Sequence, residues 1–303
     1  MIRLVRKSNY YGNIYGCEKS GQGRLAQRAV GGNNIRNDTA MNKNDLIYLA
    51  DLNFAEFHRE MARWNASSQI IESGDILMVA GAGSSPVTNT AICIGNKTEK
   101  SYEHMMTKLD AFFSEKKRSY SIHVRSHMDS GLESLCVSAN MIKISEAPGM
   151  MIDSVLPEKN NPGNVIIREI NDLAGAEDFA SVVTESYQSL GMPSEVGKRI
   201  FQSPERMLKP YNYIVAAYMD DRPVSCAMIT FSHSIAGIYW VGTLEPARGR
   251  GLAEACVVAV TNEALKRGSP AVILQASRFG EPLYKRLGFR EFTRYPWYMH
   301  FRK

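Results

Sequence analysis

Apolar residues along this chain follow two rhythms, a recurrence every three or four positions and short unbroken runs, and neither becomes regular before about residue 43. Phe54, Phe57, Met61 and Trp64 then repeat at helical spacing, which predicts a helix with one buried face. Residues 75–80 and 90–94 are β-rich runs flanking the breaker cluster 81–86, and predict two adjacent strands. Tyr102, Met105, Met106, Leu109, Phe112 and Phe113 mark a second helix face, and 119–124 a further strand.

The pattern lapses over 154–164, where two prolines, a glycine and polar residues make the best linker candidate. Beyond it the strand–helix alternation resumes. Residues 165–170 open a strand, Phe179, Val182, Val183, Tyr187 and Leu190 lie on one helix face, and strand-like runs follow at 213–218, 224–231 and 238–243. Asp220-Asp221-Arg222-Pro223 is the turn between the first two runs. A long helix from about 251 to 267 stops at Gly268, the usual position of a C-terminal glycine. Strand 271–275, a short helix near 281–287 and a strand through 297–301 close the chain. Both halves share one order of elements, so we read two copies of one α/β unit, each a mixed sheet flanked by helices. The expected division is an extension over 1–42, a first unit over 43–155 and a second over 164–303.

Composition narrows the partners. The 303 residues are 44% hydrophobic and carry a formal charge of +5, values of an ordinary globular protein. Residues 1–45 hold eight basic and three acidic side chains, so the whole excess lies there and the remainder has 28 of each sign. A basic face on a folded body is what nucleic-acid binding requires, and the numbers speak against it. Five scattered cysteines, Cys17, Cys93, Cys136, Cys226 and Cys256, sit mostly in apolar runs and read as reduced core residues. No apolar stretch reaches the roughly 20 residues that span a bilayer, and the N-terminus lacks a signal-peptide core; the expectation is a cytoplasmic protein without a membrane partner, as a monomer or homodimer. Residues 1–42 read as an extension packed on the body, as sequence upstream of a start at Met41, or as an Arg-rich targeting peptide.

Two segments carry candidate chemistry. In Tyr239-Trp240-Val241-Gly242-Thr243-Leu244-Glu245-Pro246-Ala247-Arg248-Gly249-Arg250-Gly251-Leu252-Ala253 a strand ends in a glycine turn that leads straight into a helix. Such a turn points unpaired backbone N–H groups at one spot, and the helix dipole favours an anion there. Gly249 and Gly251 allow close approach of a phosphate, and Arg248 and Arg250 add charge. Gly-Leu-Ala in place of Gly-Lys-Ser/Thr disfavours a P-loop, and the dinucleotide fingerprint is not met. A plain helix cap with surface arginines is the alternative at this point. The second segment is Leu274-Gln275-Ala276-Ser277-Arg278-Phe279-Gly280-Glu281-Pro282-Leu283-Tyr284-Lys285-Arg286-Leu287-Gly288-Phe289.

Together these segments resemble the acetyl-CoA-binding core of the GNAT superfamily of N-acetyltransferases, over about residues 165–303. There an Arg/Gln-x-x-Gly-x-Gly/Ala turn holds the pyrophosphate, matched here by 248–253, and an L-x-A-S…G…L-Y-x-x-L-G-F segment follows, matched by 274–289. The resemblance implies a tandem arrangement of two GNAT-like units, the first degenerate, since 95–100 has no R-G-x-G. It implies acetyl-CoA as co-substrate, held by Val241, Gly242, Thr243, Arg248, Gly249, Arg250, Gly251, Leu252, Ala253 and Ser277, with Tyr284 as the acid that protonates the departing thiolate. The implied reaction is direct attack of a primary amine on the thioester, the acceptor being a small molecule, or alternatively a protein or peptide; a non-catalytic acyl-CoA-binding regulator is a further alternative. Residues 187–193 and the first half are expected on the acceptor side. Glu245, His233 and Glu185 are candidate bases, none assigned, and His123/His127 lack a third ligand, so no metal is expected.

Overall fold

The computed structural model describes residues 42–95, 99–158 and 164–302. The extension over 1–40, Met41, Cys17 and residues 159–163 of the linker candidate lie outside them. Residues 41–303 form one compact unit.

Its first half runs α1 (Lys43–Arg63), β1 (Gln69–Ser73), β2 (Ile76–Ala80), β3 (Asn89–Cys93), α2 (Glu99–Glu115), β4 (Tyr120–His123), α3 (Ser130–Ser138) and β5 (Ile142–Ile152). The second half runs β6 (Val165–Glu169), α4 (Leu173–Ser186), a 3-10 turn (Tyr187–Leu190), α5 (Ser194–Ile200), β7 (Asn212–Met219), β8 (Arg222–Ser232), β9 (Ile235–Thr243), α6 (Leu252–Lys266), β10 (Val272–Gln275), α7 (Glu281–Arg286) and β11 (Arg290–His300). The helix starts follow local chemistry. The Asn42 side chain accepts from the Asp45 N–H at the head of α1, and Asp172 accepts from the Gly175 N–H at the head of α4, each satisfying a first-turn donor.

All eleven strands belong to one sheet, ordered β1-β2-β3-β4-β11-β5-β10-β9-β8-β7-β6. In the first half, β1, β2 and β3 form an antiparallel meander and β3 runs parallel to β4; in the second, β7, β8 and β9 form the same meander and β9 runs parallel to β10. The two expected sheets are therefore joined, and the join is an exchange. β5, which ends the first half, pairs with β10 of the second, while β11, which ends the second half, inserts between β4 and β5.

Sharing strands obliges the halves to share a core. Phe54 and Phe57 of α1 and Trp64 at its C-terminal cap pack in one cluster with Phe179, Phe201, Tyr239 and Tyr295 from the second half. The Phe57 and Tyr239 rings stack at 3.6 Å between centroids. The opposite face of the second half is covered by α6, whose Cys256, Val257 and Val260 meet Ile229, Ile238 and Leu274. Among the described helices none is long and apolar enough to cross a membrane.

Candidate functional site

β9 and β10 are paired over only three residue pairs, the last being Ile238 with Leu274. Beyond that point β9 continues to Thr243 with no further pairing to β10, so the sheet opens. At the same place β9 carries a bulge, because Cys226 pairs with Gly242 and Met228 with Tyr239, leaving two residues of β9 opposite one of β8. Trp240 takes a left-handed φ of 55° there, a conformation that costs a non-glycine residue about 1–3 kcal/mol and marks a constrained position.

A cleft of about 510 Å³ fills the opening. Its walls are the end of β9, the turn into α6, the loop after β10 with α7, and the 3-10 turn after α4. Gly242 lets that 3-10 turn sit close, since a Cβ there would lie 2.3 Å from Ser186 Oγ. The floor is the start of α6. Gly249 and Gly251 hold φ of 75° and 76°, each facing open space, with nothing within 4 Å of where a Cβ would stand, and no side chain caps the helix. An uncapped helix of 15 residues opening on a cleft leaves its first-turn N–H groups and positive dipole end for an anionic ligand.

Of the ten residues expected to hold acetyl-CoA, nine line this cleft: Val241, Gly242, Thr243, Arg248, Gly249, Gly251, Leu252, Ala253 and Ser277. Arg250 does not, since its guanidinium points away onto Met219 Sδ at 3.4 Å. The alternating geometry of the turn explains the difference: with Gly249 and Gly251 both left-handed, the two arginines project to different sides. Arg248 lies across the cleft mouth, donating to Thr243 O, to Ser189 Oγ at 2.9 Å and to Ser186 O.

Tyr284 also lines the cleft, from α7. Its hydroxyl has no hydrogen-bond partner among the described residues, and burial pushes its phenol well above the ordinary value. Tyr187, from the 3-10 turn, faces the same cleft, and its phenol is likewise raised, first by burial and then by the Tyr284 phenol. The sequence placed Tyr187 on the acceptor side and missed Ser186 and Glu254 as cleft residues; the helical spacing of 179–190 held the only signal for the former.

The candidate bases scatter. Glu185 and Glu245 line a neighbouring cleft of about 810 Å³ between α4, α5 and the turn, which shares Ser189 and Arg248 with the first. His233 sits before the far end of β9, about 25–30 Å of extended strand from Gly242. His123 stacks on Trp297, while His127 meets Asp51 Oδ2 at 3.0 Å and Thr293 Oγ1 at 2.8 Å, so the two imidazoles serve different neighbours. Among the described residues no His/Cys/Asp/Glu group is disposed to hold a metal.

The first half has a counterpart of the opening, filled by its own side chains. The first-half counterpart of the parallel pair β9/β10 is β3/β4, whose last paired residues are Ile92 and His123. Arg125 Nη2 donates to Gly95 O at 2.7 Å, closing the gap between the two strand ends. Its other edge grips Asp129 through two bonds of 2.7 and 2.8 Å, and Tyr102 adds a bond of 2.8 Å to the same carboxylate. Both carboxylates around Arg125, Asp51 and Asp129, are buried, so the guanidinium is held by charge as well as geometry.

Comparison with known proteins agrees with this architecture. Residues 183–295 match the family described as acetyltransferase (GNAT) domain. A GCN5-related N-acetyltransferase from Kribbella flavida superposes with a TM-score of 0.63 at 18% identity, covering 84% of this chain and 96% of its own. One from Sphaerobacter thermophilus gives 0.56 at 17%, covering 76% and 82%. A tandem GNAT protein from the clavulanic acid biosynthesis pathway gives 0.54 at 12%, covering 86% and 96%. No curated protein sequence matches the chain. Residues 183–295 are thus similar in sequence to the GNAT acetyltransferase domain, and the chain as a whole shares its fold with structures of GNAT type, a tandem GNAT protein among them.

Proposed function

We propose that this protein transfers an acetyl group from acetyl-CoA to the primary amine of a small molecule, using one cofactor cleft per chain. The observation that carries the reading is the uncapped start of α6 at the floor of the 510 Å³ cleft, with the partner-free Tyr284 phenol in the same enclosure. The turn from Arg248 to Ala253 receives the pyrophosphate on backbone N–H groups. Val241, Gly242 and Thr243, freed from β10, offer their backbone to the pantetheine arm as a strand edge would. Ser277 closes the opposite wall.

Tyr284 acts as the acid. Its raised pKa keeps the phenol protonated at neutral pH, so it can donate to the sulfur as the C–S bond breaks. A thiol has a pKa near 8.5, which makes the thiolate a tolerable leaving group and the acid an accelerator rather than a necessity. The first half, over 43–155, supports the second without binding cofactor, because Arg125 and Asp129 occupy the matching gap. The adjoining cleft of about 810 Å³, with Glu185 and Glu245 in its wall beside Lys198 and Arg248, has the size of a metabolite site for the acceptor.

The test is release of free thiol from acetyl-CoA across a panel of primary amines and short peptides. Turnover with small amines supports the reading. Turnover confined to peptides replaces the acceptor class, and CoA binding without turnover by any acceptor makes the protein a binding module. Tyr284→Phe is expected to lower kcat about tenfold or more, with little change in CoA affinity; an unchanged kcat removes Tyr284 from the mechanism.

A further inference from the structure

Two clefts meet at one pair of side chains. Arg248 and Ser189 stand in the walls of both the cofactor cleft and the adjoining cleft of about 810 Å³, and they are bonded to each other. Arg248 Nη2 donates to Ser189 Oγ at 2.9 Å and to Ser186 O at 3.4 Å, while Nε donates to Thr243 O at 3.1 Å. Ser189 Oγ donates in turn to Ser186 O at 2.8 Å, which leaves its lone pairs for the guanidinium. The pair therefore ties the 3-10 turn after α4 to the glycine turn before α6 and partitions one cleft from the other.

The chemistry of these bonds makes them exchangeable. All three partners of Arg248 are neutral oxygens, whereas Arg267 and Arg290 are each held by a carboxylate. The Arg248 side chain is exposed, so moving it strands no buried charge. A phosphate oxygen offers a guanidinium charge-assisted bonds about twice as strong as neutral ones, and the uncapped start of α6 lies three residues along the chain. One of the occupied oxygens, Thr243 O, also belongs to the stretch of β9 left unpaired by β10.

Resting on the acetyl-CoA reading of the cleft, we propose that Ser189 is a positioning residue that parks Arg248 as a latch between the two clefts until the cofactor pyrophosphate draws it away. When the pyrophosphate reaches the start of α6, the guanidinium exchanges its three neutral oxygens for anionic ones. Thr243 O is then released to an amide N–H of the pantetheine arm, and Ser189 Oγ to a ligand in the adjoining cleft. One side chain thus couples cofactor binding to the state of the neighbouring cleft, and such a coupling acts equally in both directions.

The test is calorimetric titration of CoA into the full chain and three variants. Ser189→Ala removes the oxygen that holds the latch, and is expected to tighten CoA binding about fivefold, the size of one exposed hydrogen bond no longer broken. Ser189→Thr keeps that oxygen and is expected to stay within about twofold of the wild type. With Arg248→Ala already in place, adding Ser189→Ala is expected to change CoA affinity by less than about twofold, because no latch is left to loosen. Unchanged or weaker binding in Ser189→Ala, a Ser189→Thr variant that matches Ser189→Ala, or a tightening that persists without Arg248 would each overturn the latch and leave the cofactor reading standing. A wild-type chain that binds no CoA would overturn the cofactor reading itself.

Discussion

At the residue scale, two buried histidines set a pH limit on the fold. His58 is held down to about 3 by burial and then by Arg59, and His123 lies well below its ordinary value through burial and the His58 ring. The groups around them are the rings of Phe54, Phe57 and Trp297, with Arg59 the nearest charge. Above pH 6.5 both imidazoles are neutral folded or unfolded, and stability is complete. Below it the unfolded chain gains protons that the folded one refuses, so stability falls by up to about 1.4 kcal/mol per pH unit for each ring, down towards the folded pKa. Urea titrations at pH 7.5 and 5.5 check this, and His58→Phe is expected to flatten the dependence. Of the ten residues that the sequence pointed to, nine line the cleft, and those of the glycine turn were legible because positive φ and close backbone approach demand specific residue types. The side-chain direction of Arg250 was not legible, because charge in a motif carries no direction; the turn aims its guanidinium at Met219.

At the element scale, the legible features were those with local rhythm. β2 and β3, buried along their whole length, and α6, ending at Gly268, follow directly from apolar runs and a stop residue. β1 escaped because Gln69, Ile70, Ile71 and Glu72 are all exposed and show no alternation. The exchange of β5 and β11 escaped for a deeper reason. Pairing of Val272–Gln275 with Gly149–Ile152 joins residues more than a hundred positions apart, and no local pattern encodes which distant edge a strand will join. Its energetic imprint is the aromatic contact of α1 with β9. Phe57→Ala, which removes a ring stacked on Tyr239, is expected to destabilise the protein by about 3–5 kcal/mol in a denaturant titration. A loss below about 1 kcal/mol would mean that the halves lean on one another little.

At the scale of the whole molecule, one sheet and one shared core leave no half complete alone. A fragment of residues 164–303 lacks β5 beside β10 and α1 over Tyr239. The intact protein is therefore expected to unfold in a single transition by scanning calorimetry, and the fragment to remain unfolded unless residues 43–155 are supplied with it. Two resolved transitions would mean independent domains. The two halves keep one topology and differ at the opening: in the second half a cleft lies between the end of β9, the glycine turn and α7, while in the first Arg125, Asp129 and Tyr102 bond to one another across the strand ends. That asymmetry is the central claim, and calorimetric titration of CoA into the wild-type chain and into Gly251→Asp tests it most directly. Gly251 has open space around it and a φ that aspartate tolerates better than most residues, so the variant folds while placing a carboxylate at the phosphate turn. The expected result is one site per chain in the wild type and none in the variant; two sites, or binding that survives the substitution, would contradict it.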